Sequence, residues 1–248
     1  MQIKLLVTPL TAGAYFDDVL VVAVKELKLY ISDQPIVTER IGELTFLSFE
    51  TGTVTITQLS VTLLRLSFVQ AIFEDVGNGN LSVINVNTGF FLPDSMVYGV
   101  KYAGKTNELG TQMAVNVGLA YASIGDSETP WLLDPMAGRG TTLLWALRYR
   151  MNAYGIDVNQ KSLDGLQQHV KKQAKLQRIK HQQSKGNIGQ PNKQGIGQFR
   201  QFSFDDLTLR LTIGNSRDAE ALASTPLSQL NISSTFTKTS SKSAQSPF

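Results

Sequence analysis

Trp131-Leu132-Leu133-Asp134-Pro135-Met136-Ala137-Gly138-Arg139-Gly140-Thr141-Thr142 is the stretch on which the fold of this chain turns. A short apolar run, Trp131 to Leu133, enters an acid and then a turn holding two glycines. A helix is expected from Leu143 to Met151. Ala153-Tyr154-Gly155-Ile156-Asp157 then reads as a second strand that again ends in an acid. Strand, glycine turn, helix, strand, acid is the βαβ pattern of a parallel sheet. Outward from it, the spacing predicts a helix over 162–180, with Leu163, Leu166, Val170 and Ala174 on one side. A third strand is expected over Leu209-Arg210-Leu211-Thr212-Ile213. Upstream, a helix is expected over 105–123, capped by Thr106 or Asn107, with Leu109, Met113, Val117 and Ala120 on its buried face.

The turn has chemistry of its own. Gly138 and Gly140 lack Cβ atoms where backbone must come close to a ligand. The helix that follows opens its first N–H groups toward the crevice at the strand end, which suits an anionic or carboxylate-bearing ligand. Asp157 closes the adjacent strand and can accept hydrogen bonds from both hydroxyls of a ribose. Together these features describe a nucleoside-containing cofactor lying across two strand ends. The dinucleotide fingerprint wants a third glycine where Leu143 stands, so a nicotinamide cofactor is disfavoured.

Asp134 to Thr142, followed by Tyr154-Gly155-Ile156-Asp157, resembles the S-adenosylmethionine-binding motif of amino-methyltransferases that modify exocyclic nitrogens in DNA and RNA. The tRNA guanine-N2 methyltransferase-like group is among them. Lys101-Tyr102-Ala103-Gly104-Lys105-Thr106-Asn107-Glu108 is similar to the segment that precedes this motif there and lines the methionine end of the cofactor. Gly214-Asn215-Ser216-Arg217 resembles an element whose acid reaches the adenine, with Asn215 here in place of that acid. The resemblance covers about residues 101–218. It implies S-adenosyl-L-methionine as cofactor, held by Lys105, Thr106, Glu108, Asp134, Pro135, Ala137, Gly138, Gly140, Thr141, Asp157 and Asn215. Asp134 would anchor the turn and face the cofactor's ammonium, and Asp157 would hold the ribose.

One part of the family pattern is missing. These enzymes place an Asp/Asn-Pro-Pro-aromatic motif at the end of a further strand, where it accepts the target amine's protons. No two prolines are adjacent anywhere in this chain, so no catalytic residue is assigned. The strand of Leu132 and Leu133, normally mid-sheet in this fold, is then expected at a sheet edge, to be covered by the N-terminal domain, completed by a partner chain, or left exposed in a marginal, aggregation-prone protein. A different class of reading comes from Gly99-Val100-Lys101-Tyr102-Ala103-Gly104-Lys105-Thr106, which satisfies the phosphate-loop pattern of NTPases. Against it, Val100 and Tyr102 are bulky for a phosphate cradle, and Met96-Val97-Tyr98 is a meagre strand to precede one.

Charge points to a partner. The chain carries 23 Lys and Arg against 20 Asp and Glu, yet residues 161–200 hold nine basic side chains and one acid, Asp164. Lys171, Lys172, Lys175, Arg178 and Lys180 can neutralise the phosphates of a nucleic acid, RNA ahead of DNA. Phe199 and Phe202, near Arg200, are candidates to stack on a base or to pack in the core. The absence of cysteine excludes disulfides, thiolate metal sites and a thiol nucleophile. With His169 and His181 the only histidines, no metal is expected. No apolar run reaches the roughly 20 residues of a membrane span. Met1 to Ala14, broken by Pro9, makes a poor secretory signal, so a cytoplasmic protein is expected.

Residues 1–95 are strand-rich. Ile3 to Val7 is expected as a strand, Ala23 to Tyr30 as a helix, and Thr53 to Ile56 as a strand. Leu59 to Phe73 fits either state, and Gly77-Asn78-Gly79-Asn80 is a turn before the strand Leu81 to Ile84. Residues 184–198 read as a flexible loop by composition, and the Ser/Thr-rich end as disordered. The expected organisation is therefore α/β. A small α+β domain over 1–100 precedes an incomplete Rossmann-like class I methyltransferase domain over 101–222 and a tail over 223–248. The expected function is methyl transfer to an exocyclic amine of RNA or DNA. The alternatives are a catalytically inactive cofactor- or nucleic-acid-binding fragment of such an enzyme and a P-loop NTPase.

Overall fold

The computed structural model describes residues 1–8, 19–31, 34–52, 56–98, 106–124, 129–188 and 197–214. It is a mixed α/β chain with two five-stranded sheets and, among the described residues, six helices. Two compact units divide it: Met1–Glu128 with Arg148–Arg150, and Thr129–Leu147 with Met151–Phe248. No described helix is long and apolar enough to cross a membrane. The expectations on Ala12–Ala14, Thr53–Thr55, Gly99–Lys105, Asn215 and residues 223–248 lie outside the described residues.

The first unit runs β1 (Gln2–Val7), α1 (Val19–Lys28), β2 (Val37–Ile41), β3 (Leu44–Glu50), α2 (Ile56–Leu63), β4 (Val69–Gly77), β5 (Asn80–Val83), α3 (Asp94–Tyr98) and α4 (Glu108–Tyr121). Its sheet is antiparallel in the order β2-β3-β1-β4-β5. The first four strands and two helices thus follow the split βαβ, ferredoxin-like order. Alternation along β1 sends Ile3, Leu5 and Val7 into a core with Leu27, Leu47, Leu63 and Ile72. Lys4 points to the other face. There its Nζ meets Glu39 Oε1 at 2.5 Å and Asp75 Oδ2 at 3.3 Å, and Ser48 donates to Glu39. One side chain from each of β1 to β4 therefore fixes the register of this face. The β4–β5 hairpin turns on Asn78 (φ 54) and Gly79 (φ 76), as Asn-Gly predicts.

Three expectations need correcting here. Ile56 opens a helix, not a strand. Ile56, Leu59 and Leu63 recur at helical spacing against the core, and that burial overrides local alternation. Met96, Val97 and Tyr98 belong to α3, so a helix stands where the phosphate-loop reading needs a strand. On α4 the buried residues are Thr111, Gln112, Val115 and Asn116, whereas Val117 is 37% and Tyr121 78% exposed. The polar face goes inward because partners await it. Gln112 Nε2 donates to the Arg65 carbonyl (2.8 Å) and to Tyr149 Oη (3.1 Å). Asn116 Nδ2 donates to Glu26 Oε1 (2.6 Å) and to the same carbonyl (2.9 Å).

Glu26, 2% exposed on α1, also accepts from the Ser67 amide and hydroxyl. Burial raises its pKa above the ordinary 4.5, and the Ser67 and Asn116 bonds only partly oppose this. The folded chain then holds this proton more tightly than the unfolded chain does. Its contribution to stability is greatest below the ordinary value and declines as pH rises through the folded pKa. Urea unfolding of wild type and Glu26→Gln between pH 4 and 8 tests this. The wild type should lose ground to the variant as pH rises, and parallel curves would remove the assignment.

The second unit runs β6 (Trp131–Asp134), α5 (Thr141–Arg148, whose last residue groups with the first unit), β7 (Asn152–Asp157), α6 (Gln160–Leu176), β8 (Gln182–Ile188), β9 (Gly197–Ser203) and β10 (Thr208–Gly214). The sheet order is β6-β7-β10-β9-β8, with β6, β7 and β10 parallel and the last three antiparallel. Leu163, Leu166, Val170 and Ala174 form the buried stripe of α6, as the spacing predicts. Among the described residues β6 pairs with β7 alone, which places it at the edge of this sheet. The expected loop over 184–198 is corrected at both ends. Residues up to Ile188 and from Gly197 pair as the hairpin strands β8 and β9, with Lys185 opposite Arg200. Gly186 is a packing position. A Cβ there would lie 2.7 Å from the Phe199 ring, so composition mistook a strand glycine for a linker.

Candidate ligand site at the carboxyl ends of β6 and β7

The parallel register sets Asp134 opposite Gly155 and carries both strands to one end of the sheet, where Asp134 and Asp157 close them. Five hydrogen bonds shape the turn between β6 and α5. Asp134 Oδ1 accepts from the Met136 amide at 3.0 Å, so this acid anchors the turn as expected. The Ala137 amide donates to the Ile156 carbonyl at 2.9 Å and ties the turn to β7. The Gly138 amide donates to Asp157 Oδ2 at 2.6 Å, and the other oxygen, Oδ1, accepts from the Asn159 amide at 2.7 Å. Gly140 N–H then reaches the Ala137 carbonyl at 2.6 Å, directly before α5 begins.

The two glycines differ in what they do. Gly138 (φ 52) is half-buried, and a Cβ there would meet nothing closer than the Met136 carbonyl oxygen at 4.0 Å. It stands in open space at the strand ends, where a ligand has room. Gly140 (φ 74) is buried, and a Cβ there would lie 3.0 Å from Leu166 Cδ1 and closer still to Cδ2. Its missing side chain makes room for the α6 core, which corrects the expectation of a ligand approach at this residue. Ala137 is scaffold too: it is buried, its amide is used, and its Cβ fills the space beside Gly155, where an added Cβ would meet it at 2.9 Å. Thr141 is buried at the start of α5. Pro135 is exposed.

Asp157 is half-buried and keeps capacity for a ligand. A carboxylate oxygen has two acceptor positions, and each oxygen here spends one on an amide. Vicinal hydroxyls fit what remains. Beside it Val158 is 54% exposed, and Met136, at the tip of the turn, is 84% exposed. These apolar side chains flank the acids and were not singled out in the sequence. The signal was their place, one residue past β7 and two past β6. A site with acid acceptors and apolar surface suits a ligand that carries both hydroxyls and a flat or aliphatic apolar part.

Thr106 and Glu108 belong to the first unit. Thr106 is exposed, Glu108 opens α4, and Asn107 is the cap, its Oδ1 accepting from the Gly110 amide at 2.9 Å. Lys105 and Asn215 lie outside the described residues.

The basic residues divide. Lys171, Lys172, Lys175, Arg178 and Lys180 are all exposed on the second half of α6 and the turn after it, and Lys185 is exposed on β8. Arg200 is committed to Asp164 and to Gln167 on α6, so the one acid of the block is neutralised internally. Neither phenylalanine is an open stacking platform. Phe202 is 1% exposed in the core, and Phe199 is half-buried, covered by the Arg210 guanidinium 4.3 Å from its centroid. No family model matches the chain. No curated protein matches it.

Proposed function

We propose that the second unit is a Rossmann-like half-sheet that binds S-adenosyl-L-methionine across the ends of β6 and β7 and serves methyl transfer to an exocyclic amine of RNA or, second, DNA. One observation carries the reading: two acids end adjacent parallel strands on either side of a glycine turn that Asp157 itself holds through the Gly138 amide. The open space at Gly138, the spare acceptors of Asp157 and the exposed Val158 and Met136 fit a nucleoside with an aliphatic tail. When bound, that cofactor supplies an electrophilic methyl group. Asp157 would orient the ribose, Asp134 would face the ammonium, and the exposed lysines of α6 would hold the nucleic acid by its phosphates. A cytoplasmic setting belongs to this proposal.

Asp157→Ala should weaken binding of S-adenosyl-L-methionine by about 1–3 kcal/mol, the worth of losing hydrogen bonds from the ribose to a charged acceptor. Titration calorimetry reads this directly. Binding of Mg-ATP without any response to S-adenosyl-L-methionine would overturn the cofactor assignment.

A second reading is a cofactor- or nucleic-acid-binding fragment without turnover. It is favoured by the lack of any Pro-Pro pair in the sequence and by the position of β6 at the edge of the described sheet. In this reading a partner strand pairs with β6. A methyl-transfer assay with labelled cofactor and bulk tRNA separates the two. The phosphate-loop reading has lost its strand to α3.

A further inference from the structure

Among the described residues, three non-glycine residues adopt left-handed backbone: Asn78, Arg150 and Arg178. Asn78 is in a hairpin that favours it. Arg150 follows α5, where the Met151 amide reaches back to the Ala146 carbonyl at 2.9 Å. A contact of its own offsets the strain, because its Nε donates to the Gly89 carbonyl at 2.8 Å and its guanidinium lies over Phe91. Arg178 is different. The Ile179 amide donates to the Ala174 carbonyl (2.8 Å) and the Arg178 amide to the Lys175 carbonyl (3.3 Å). This is the Schellman ending, and Arg178, at φ 55, occupies the position where glycine is favoured. Its side chain is exposed and has no hydrogen-bond, ion-pair or ring partner among the described residues. The fold gains nothing visible from an arginine there.

Exposed cations flank it along the chain. Lys171, Lys172 and Lys175 precede it on α6, and Lys180 and Lys185 follow, all exposed. Lys171 to Lys175 span about one turn of α6, about 6 Å, and Arg178 lies just past its end, so the group can face more than one phosphate of a duplex. Lysines supply point charges. Arg178 alone in this group offers the planar fork that binds a phosphate through two N–H bonds.

We propose that Arg178 is the phosphate-gripping residue of a nucleic-acid surface made by the second half of α6 and the start of β8, and that it holds a position suited to glycine because its guanidinium serves the ligand and not the fold. The inference rests on the nucleic-acid reading given above and names the residue and group that this reading turns on. The partner is RNA, met through its phosphate backbone without base readout.

The full chain, a fluorescein-labelled 20-base-pair RNA hairpin and anisotropy titrations between 50 and 200 mM salt test it. Arg178→Gly should bind about tenfold more weakly at the lowest salt and lower the log–log salt slope by about one. Its thermal midpoint should equal or exceed that of wild type, since glycine relieves the backbone. Arg178→Lys should keep the slope yet lose affinity severalfold, because the charge remains and the fork is gone. Wild-type affinity in Arg178→Gly, alongside lost affinity in a Lys171→Ala, Lys172→Ala, Lys175→Ala protein, would overturn the role of Arg178 and leave the nucleic-acid reading standing. Unchanged affinity in both proteins would end both. A midpoint that falls together with affinity would assign Arg178 to the helix end and overturn the proposal.

Discussion

Gly140→Ala should destabilise the second unit by about 2–5 kcal/mol, the sum of a left-handed penalty of about 1–2 and an overpacking cost of about 1–3. Gly140 sits at φ 74, so a side chain strains the backbone whatever the space around it. The space is also taken. The added methyl would lie 3.0 Å from Leu166 Cδ1 and 3.2 Å from Cγ, with Cδ2 nearer. Leu166 is 1% exposed and enclosed by the α6 core, so it has nowhere cheap to turn. Gly138→Ala is the matched control. At φ 52 it carries the backbone penalty, but its methyl would enter open space, and about 1–2 kcal/mol is expected. Urea midpoints of the two variants decide whether the turn's glycines divide their work in this way. Equal losses would mean that the packing of Gly140 against Leu166 contributes nothing. Gly138→Ala should in return be the more harmful of the two to ligand binding per unit of stability lost, because its methyl projects where the ligand has room.

Replacing Lys171, Lys172 and Lys175 together with Ala should lower affinity for RNA about 10–100-fold at low salt. It should also flatten the log–log salt dependence by about two to three, near 0.9 for each phosphate contact removed. The loss should be alike across sequences, since lysines on a helix face that reads no bases contribute only charge. The fold should not suffer. All three side chains are exposed, and Ala is the stronger helix former, so the thermal midpoint should hold or rise slightly. Affinity that ignores salt between 50 and 200 mM would mean that these lysines only solvate the outer face of α6.

Much of the second unit was legible because its signals are local. The stripe Leu163, Leu166, Val170 and Ala174 follows helical period, and the strands Ala153–Asp157 and Leu209–Ile213 are short apolar runs between turn residues. The Asn-Gly turn at 78–79 is equally local, since it needs only its own backbone angles. The same reasoning failed on α4. Period and hydropathy point Val117 and Ala120 inward, but the structure buries Gln112 and Asn116. What awaits them is Glu26, the carbonyl of Arg65 and the hydroxyl of Tyr149, residues far away in sequence.

The candidate site divides along the same line. Order along the chain was enough to place Asp134 and Asp157 at strand ends and to mark the turn between them, because a βαβ unit has one favoured hand and brings consecutive strand ends together. That Gly138 faces open space while Gly140 lies under Leu166 depends on how α6 returns over the turn, which no local pattern contains. Composition gave residues 184–198 to a loop, yet β8 and β9 form there because each finds the other's ladder, with Gly186 beneath Phe199. The left-handed backbone of Arg178 was equally hidden: arginine carries no such preference, and the reach of Ile179 back to Ala174 imposed it. The sequence by itself therefore determined the β6-α5-β7-α6 elements, their order and the acids that end the two strands, since these follow from neighbours in the chain. Only the tertiary structure decided which polar face is buried and which glycine serves packing, since each depends on groups that the chain brings together from a distance.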